Sequence, residues 1–163
     1  MIITPLDVAI SQLGVKELTG KNDGVPSTRY MKGDKLSWCA GLMLYCYHKS
    51  DWGSIEHGLK EYYRLRNVQA FVDEMKSREV FFGRKLFMRL MPCDLVFFKG
   101  RDGSDVGRGN HVGMFERFGY STVDSSVLET IHTIEGNTGD AVKRKNYSIH
   151  NTSILGFAAP VYR

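Results

Sequence analysis

The stretch PCDLVFF, residues 92–98, divides the chain into two halves with different hydrophobic periodicity. Its apolar part lies between Pro92 and Gly100, and a short apolar run bounded in this way predicts a buried β-strand at 94–98. Before this stretch, apolar residues recur at helical spacing, and after it shorter runs predict strands. Helices followed by strands indicate an α+β domain in which N-terminal helices pack on a C-terminal antiparallel sheet.

The first predicted helix has clear local signals at both ends. Thr4 is the expected N-cap, Pro5 fits the first helical position, and Asp7 lies where negative charge is favoured. Gly14 is expected to end this helix. The other predicted elements are a loop at 18–27, a helical turn starting at 30–31, helices at 37–50 and 55–75 with a break at Gly58, a loop at 101–109, strands at 111–118, 129–135, 142–147 and 154–161, and a hairpin partner of the first of these at 120–123.

The composition is that of a single globular domain. With 163 residues, of which 42% are hydrophobic and 25% charged, the chain is long enough to bury a core, and we treat 1–163 as one domain. No apolar run approaches the roughly 20 residues that span a bilayer. The N-terminus also lacks the basic and apolar regions of a secretory leader. We therefore expect no membrane insertion, and synthesis in the cytoplasm without a signal peptide.

Charge and cysteine content exclude several kinds of site. The net charge is +4 and the pI ≈ 9.0, which suits an anionic partner, but acidic residues are interspersed among the cations. The basic segment 142–145 is too short to predict nucleic-acid binding. Three cysteines are too few and too irregularly spaced for a disulfide framework or a zinc knuckle. We expect a monomer with no nucleic-acid partner and no cofactor.

Cys39 lies in SWCAG, residues 37–41, at the predicted start of the second helix. Unpaired N–H groups and the positive end of the helix dipole favour a thiolate there, and the thiolate is the reactive form of cysteine. A cysteine on an apolar helix is also commonly a small buried hydrophobic residue. That second interpretation fits Cys46 and Cys93, which have no chemical partner in their sequence surroundings.

Two later segments supply partners for a reactive thiol. His111 follows a glycine-rich loop and opens a predicted strand, where its ring could exchange a proton with the thiol. Two-residue alternation places Thr133, Glu135 and Asn137 on one face of another strand. Either the carboxylate or the amide could accept the second ring N–H and orient the imidazole. The segment 135–140, EGNTGD, could equally be a turn between strands.

Amide hydrolysis at a thiol also needs donors for the oxyanion that forms on the attacked carbonyl. The backbone N–H of Cys39 is the first candidate, since it lies at the predicted helix start. Tyr30 is predicted to supply a second donor. Trp38, the neighbour of the thiol, is predicted to contribute to the same oxyanion and substrate-binding region.

Four segments together resemble the CHAP domains, a papain-like family of cysteine- and histidine-dependent amidohydrolases and peptidases. They are SWCAG at 37–41, MPCDLVFF at 91–98, NHVG at 110–113 and IEGNT at 134–138. The resemblance extends from about residue 6 to 160 and implies that Cys39 is the nucleophile, His111 the base and Glu135 the orienting group, with Asn137 close by. The chain departs from the pattern at Cys93, where members usually carry glycine.

What the resemblance implies about activity is cleavage of an amide bond in bacterial peptidoglycan. We expect a phage-endolysin type of hydrolase, either an N-acetylmuramoyl-L-alanine amidase or a peptide endopeptidase, that acts on the cell wall. Some members bind calcium through aspartates before the nucleophile, but Asn22, Asp23 and Asp34 are too few for such a site, so no metal is predicted. The alternatives are a cytosolic papain-like amidase acting on a peptide conjugate, a secreted antibacterial effector, and an inactive binding module.

Overall fold

A computed structural model describes residues 1–100 and 108–161 and confirms the α+β architecture. Within these residues, most of the helices precede a six-stranded sheet. The elements are α1 (Pro5–Ser11), α2 (Val25–Tyr30), α3 (Cys39–Lys49), α4 (Leu59–Leu65), α5 (Val68–Ser77), β1 (Phe81–Gly83), a 3₁₀ helix (Arg84–Arg89), β2 (Leu95–Lys99), β3 (Gly109–Tyr120), β4 (Leu128–Glu135), β5 (Lys143–Ser148) and β6 (Ile154–Ala158). None of the helices described is long and apolar enough to cross a membrane.

The start of α1 is the one predicted from its local sequence. Thr4 Oγ1 accepts a hydrogen bond from the Asp7 N–H at 3.2 Å, and the Asp7 carboxylate accepts one from the Thr4 N–H at 2.9 Å. This reciprocal pair satisfies two of the donors that the start of a helix leaves unpaired. The helix ends at Ser11, three residues before Gly14, whose φ of 86° is the left-handed conformation that glycine tolerates.

One predicted helical boundary before the thiol is wrong, and the start predicted near Ser37 is shifted by two residues. α2 occupies part of the predicted loop at 18–27 and ends at Tyr30, where the prediction has a helical turn beginning. The next helix, α3, begins at Cys39 rather than at Ser37. This shift makes Cys39 the first residue of the helix, so its amide belongs to the first turn.

The helix predicted over 55–75 is two helices, and the chain breaks at Asn67 rather than at Gly58. The side-chain oxygen of Asn67 accepts a hydrogen bond from the Ala70 N–H at 3.0 Å and so caps α5. Gly58 precedes α4 with a φ of 107°. The segment before it is therefore not helical.

The strands form one antiparallel sheet in the order β1-β6-β2-β3-β4-β5. The predicted hairpin partner at 120–123 is wrong: Tyr120 is the last residue of β3 and pairs with Leu128 of β4. β1 and the 3₁₀ helix are further elements that the sequence pattern did not predict. Most of the predicted loop at 101–109 lies outside the described residues, and Gly109 belongs to β3.

Side chains of the sheet alternate between two apolar clusters. Leu95 and Phe97 of β2 lie in the larger core with the helices, whereas Val96 and Phe98 lie in a second cluster on the opposite face. β3 follows the same alternation. Val112 belongs to the helix-facing core, and the preceding residue, His111, has its ring centroid 5.7 Å from that of Phe98.

Cys93 adopts a backbone conformation that favours glycine. Its φ is 82°, in the left-handed region, and it lies in the turn that leads into β2. Its N–H donates to the carbonyl of Phe115 at 3.1 Å, and its carbonyl accepts from the Tyr47 hydroxyl at 2.8 Å. The turn therefore ties β2 to both β3 and α3 through the backbone of a residue whose side chain is strained at that φ.

Candidate active site

Cys39 is the first residue of α3, and its side chain is almost completely buried. The first N–H groups of a helix have no partner within that helix, and the N-cap residue Trp38 supplies no side-chain cap. The sulfur accepts hydrogen bonds from the backbone N–H groups of Ala40 and Val112. The N–H dipoles of Ala40 in the first turn of α3 and of Val112 in β3 therefore favour a negative charge on this sulfur.

His111 joins the thiol to a carboxylate. Its Nε2 lies 2.7 Å from Oε2 of Glu135, and its ring also forms a hydrogen bond with the thiol of Cys39. Because Nε2 is engaged by Glu135, the nitrogen left to face the sulfur is Nδ1. The structure thus brings three predicted site residues, Cys39, His111 and Glu135, into one hydrogen-bonded chain.

Glu135 is 1% exposed and is held by three hydroxyl groups in addition to His111. Thr133 donates to its Oε1 at 2.6 Å, and Oε2 accepts from Tyr147 at 3.1 Å and from Thr138 at 3.2 Å. A buried carboxylate is costly unless its oxygens are hydrogen-bonded, and these donors supply that compensation. They also fix the direction in which Oε2 meets the imidazole ring.

The electrostatics of the three groups favour a thiolate beside an imidazolium. Burial lowers the pKa of His111, but the hydrogen bonds and negative charges of Cys39 and Glu135 outweigh it and raise the pKa to about 10. Burial raises the pKa of Cys39, but the hydrogen bond and charge of His111 outweigh it and lower the pKa overall. Burial likewise opposes the charge on Glu135, yet His111 holds the pKa of that carboxyl below its usual value.

Two clefts meet at this pair. The first, which we call the His111 cleft, has a volume of about 470 Å³, and the second, the Arg108 cleft, has about 330 Å³ and contains Cys39. The His111 cleft is lined by Ser37, Phe98, Lys99, Asn110, His111, Glu135, Asn137, Thr138, Gly139, Tyr147 and Ser153. The Arg108 cleft is lined by Ser37, Cys39, Arg66, Asn67, Val68, Gln69, Arg108, Gly109 and Asn110.

Ser37 and Asn110 line both clefts, so a chain bound in one can continue into the other past the thiol. Sequence reasoning did not select either residue for the site, although both belong to the motifs around Cys39 and His111. An extended substrate can therefore cross the Cys39–His111 pair with one part on each side.

Asn137 lies in the His111 cleft but does not take the orienting position beside the imidazole, which Glu135 occupies. Its side-chain Nδ2 donates to Ser37 Oγ at 2.9 Å and to Asn22 Oδ1 at 3.4 Å. Its φ of 57° places it in a left-handed turn after β4. Asn137 thus links its own turn to the loops that contain Asn22 and Ser37. The hydrogen bond to the imidazole of His111 is made by Glu135.

The two residues predicted for oxyanion or substrate contact do not face the clefts. Tyr30 is fully buried, and its hydroxyl donates to Oε1 of Gln12 at 2.8 Å. Trp38 is also fully buried, and its Nε1–H donates to Oε1 of Glu17 at 2.7 Å. Both predictions are wrong, because each polar group is committed to a partner inside the protein. Trp38 instead packs beneath the site.

Support for the thiol comes from buried groups that the motifs did not reveal. Glu17 is 6% exposed and accepts from Trp38 through Oε1 and from the Asn22 N–H through Oε2, the latter at 2.7 Å. On the other side of Trp38, a Cβ atom on Gly136 would lie 2.8 Å from the indole ring. The loop that contains Glu17 and the turn that contains Gly136 therefore both pack on the side chain of Trp38.

The other two cysteines differ from Cys39 in their surroundings. Cys46 lies in the middle of α3, and burial together with the charge of Cys93 raises its pKa. Cys93 is buried in the turn before β2. Neither lines one of the two clefts.

Within the described residues, no group of three or more His, Cys, Asp or Glu side chains is placed to hold a metal ion. Asp23 accepts hydrogen bonds from the turn at residues 18–19, including one from the Thr19 hydroxyl at 2.6 Å. Asp34 pairs with Arg66 at 2.8 Å. These two carboxylates therefore already have protein partners.

The arrangement has the parts required for nucleophilic attack on a carbonyl group. It offers a thiol with a lowered pKa, a ring that can give up and take back one proton, and a buried carboxylate that orients the ring. The backbone N–H of Cys39 is available at the helix start for an oxyanion. No protein-family model matches the chain, and no curated protein matches it.

Proposed function

We propose that this protein is a peptidoglycan hydrolase that cleaves an amide bond of the bacterial cell wall with Cys39 as nucleophile. The observation that carries the proposal is the chain of hydrogen bonds from Cys39 through His111 to Glu135 at the meeting point of two clefts. Such a chain is the minimum arrangement for acyl transfer by a thiol. The resemblance to CHAP domains supports the choice of substrate.

The first chemical step forms a thioester. The Cys39 thiolate attacks the amide carbon, and the carbonyl oxygen takes up negative charge opposite the N–H of Cys39. The imidazolium of His111 then donates its proton to the amide nitrogen, so the C–N bond breaks and the amine leaves. Glu135 keeps the ring in position and stabilises its positive charge until the proton is transferred.

The second step releases the acid and restores the site. His111 is now neutral and can accept a proton from a water molecule, which attacks the thioester carbon. The C–S bond breaks, and the sulfur leaves as the thiolate. The proton taken from water stays on His111, so the thiolate–imidazolium pair is regenerated for the next substrate.

The positions of the two clefts suggest how a substrate is oriented. The proton donor to the leaving amine is His111, so the amine part belongs in the cleft that His111 lines. The acyl part, which becomes bound to sulfur, belongs in the cleft that contains Cys39. A wall peptide is extended and flexible enough to lie across both.

The overall charge also suits a wall substrate. The chain carries a net charge of +4, and bacterial walls are anionic polymers. This attraction is screened by salt, so binding to walls should weaken as ionic strength rises. We propose that the protein is made in the cytoplasm and reaches the wall as a phage lysin or as a delivered effector.

The proposal is tested on isolated bacterial cell walls with wild-type protein and a Cys39→Ala variant. We expect wild-type protein to solubilise the walls and Cys39→Ala to be inactive, with a loss on the order of a millionfold, since removing a nucleophile abolishes the covalent route. Mass spectrometry of the fragments identifies the new termini. A new lactyl carboxylate end indicates an amidase, and new ends within the peptide indicate an endopeptidase.

The matched control is Cys46→Ala, which removes a buried thiol from the same helix away from both clefts. It should keep the wild-type rate per folded molecule. Equal activity of Cys39→Ala and wild type would remove Cys39 from the mechanism. Failure of wild type on walls of several crossbridge types, together with thiol-dependent cleavage of small peptide conjugates, would favour the cytosolic amidase instead.

A further inference from the structure

The Arg108 cleft differs in charge from the His111 cleft. The lining of the His111 cleft includes both Lys99 and the carboxylate of Glu135. The described lining of the Arg108 cleft includes two arginines, Arg66 and Arg108, and no acidic side chain. The two sides of the thiol therefore present different electrostatic environments to a bound substrate, and the mechanism above does not account for the difference.

Arg66 is a rigidly held cation. Its side chain is 10% exposed, and its guanidinium lies 4.4 Å from the ring centroid of Tyr63. One terminal nitrogen donates to the carbonyl of Met31 and the other to the carboxylate of Asp34, each at 2.8 Å. Its Nε is buried with no hydrogen-bond acceptor among the described residues. Asp34 is half exposed, and this ion pair compensates the positive charge of Arg66.

Arg108 differs from Arg66 because it is exposed and has no carboxylate partner in the part of the chain that the structure describes. It immediately precedes β3, three residues before His111. A guanidinium in this position can donate two parallel hydrogen bonds to a planar anion such as a carboxylate. Asn67 and Asn110 line the same cleft as Arg108 and are also polar.

We propose that the Arg108 cleft is a subsite for a carboxylate carried by the acyl part of the substrate, with Arg108 as the residue that binds it. Arg66, which is held by Asp34 and Met31, forms a fixed part of the cleft wall. The orientation of the acyl part rests on the proposed function, whereas the anion subsite itself does not. The substrate class that follows is an acidic peptide with a free carboxylate close to the scissile amide.

The test compares two alkylating reagents of similar size, one anionic and one neutral, through the change in their rate ratio between variants. Iodoacetate carries a carboxylate where iodoacetamide carries a carboxamide. In both reactions the Cys39 sulfur forms a bond to the CH₂ carbon, the C–I bond breaks, and iodide leaves. Mass spectrometry of the peptide that contains Cys39 gives the rate of each reaction separately from Cys46 and Cys93, and no wall cleavage is needed.

We expect Arg108→Gln to lower the ratio of the iodoacetate rate to the iodoacetamide rate by about three- to tenfold, because a charge-assisted contact is lost while the thiolate is unchanged. Arg108→Lys, which keeps the charge, should retain part of the preference. The matched control is Lys99→Gln, which removes a cation from the other cleft and should leave the ratio near the wild-type value.

An unchanged ratio in Arg108→Gln would overturn the proposal, and so would an equal decrease in Lys99→Gln, since that would indicate only the general charge of the surface. A second measurement uses peptides that differ in a free carboxylate or a carboxamide on the acyl side. Their binding to the Cys39→Ala variant should favour the carboxylate, and Arg108→Gln should remove that preference. Failure of wall cleavage with an intact alkylation preference would refute the proposed function but not the subsite.

Discussion

Glu135 acts on the electrostatics of the candidate site through His111. It is buried, accepts hydrogen bonds from three hydroxyl groups, and faces His111 at 2.7 Å. Its charge stabilises the imidazolium, and the imidazolium in turn stabilises the thiolate of Cys39. A substitution of Glu135 should therefore change the pKa of the Cys39 thiol, which Glu135 does not contact directly.

A Glu135→Gln variant tests this coupling through pH. In the wild type, the ultraviolet absorbance of the Cys39 thiolate should disappear at a pH below the ordinary thiol value of 9.0, and His111 should lose its proton at about pH 10. Without the carboxylate, the imidazolium is less stable, so we expect the thiolate midpoint to rise and the His111 midpoint to fall. An absorbance titration measures the thiolate midpoint, and an NMR titration measures the His111 midpoint.

The control for this variant is Glu116→Gln, which neutralises a carboxylate of β3 that pairs with Arg144 on the surface. In Glu116→Gln, the titration midpoints of the Cys39 thiolate and of His111 should stay at their wild-type values. Tyr147→Phe should give a smaller shift in the same direction as Glu135→Gln, because it removes one of the hydroxyl donors to Oε2. Unmoved midpoints in Glu135→Gln would show that Glu135 does not control the pair.

The residues of the site differ in how far the sequence could predict them. Cys39, His111 and Glu135 each lie in a short motif near the start or end of an element. Local patterns selected Cys39 and His111, but they left Glu135 and Asn137 as alternatives, and the resemblance to CHAP domains favoured Glu135. The interactions of Tyr30 and Trp38 could not be predicted, because their partners Gln12 and Glu17 lie elsewhere in the chain. Tyr147 was missed for the same reason, since only the pairing of β4 with β5 brings it to Glu135.

At the scale of elements, helix and strand ends followed local chemistry where a cap was present. The capping box of Thr4 and Asp7 predicted the start of α1. Asn67 carries an equally local signal, but the apolar spacing on both sides of it suggested one continuous helix. β1 is only three residues long and is stabilised by pairing with β6, more than 70 positions later in the sequence, so no local pattern indicated it.

The turn before β2 gives a stability prediction at this scale. Cys93 has a φ of 82°, which a glycine adopts without strain, so Cys93→Gly should cost less than about 1 kcal/mol once strain relief offsets the lost thiol. Cys46→Gly removes a buried thiol from the interior of α3 and should cost about 2–4 kcal/mol. Urea unfolding at one pH measures the free energy of unfolding of both variants and of the wild type. Equal losses would show that the turn at Cys93 carries no strain.

For the whole molecule, Cys39 and His111 link stability to pH as a pair. His111 has a raised pKa, so taken alone it stabilises the fold below its ordinary value of 6.5, and this is lost as the pH rises to about 10. Cys39 has a lowered pKa, so taken alone it stabilises the fold above its ordinary value of 9.0, and this is lost as the pH falls. Between those two values the opposite slopes cancel, because the folded and unfolded chains each hold one proton on the pair.

We therefore expect the pair to leave the free energy of unfolding constant between pH 6.5 and 9.0 and to lower it on either side. Below this window the unfolded chain binds a second proton, and above it the unfolded chain releases the proton that the folded pair keeps. The measurement is the difference between wild type and a Cys39→Ala/His111→Ala variant in urea at each pH. A steady slope through neutrality would contradict the coupling.

The position of β6 in the sheet has a consequence for protein synthesis. Although β6 is the last of the described strands in sequence, it lies between β1 and β2 rather than at an edge. While residues 154–158 are still inside the ribosome, β2 lacks one of its neighbours, and β2 is the strand that pairs with β3 beside His111. The sheet that carries the imidazole is complete only after β6 has inserted. A nascent chain therefore carries Cys39 outside the ribosome before the sheet that positions His111 has all its strands.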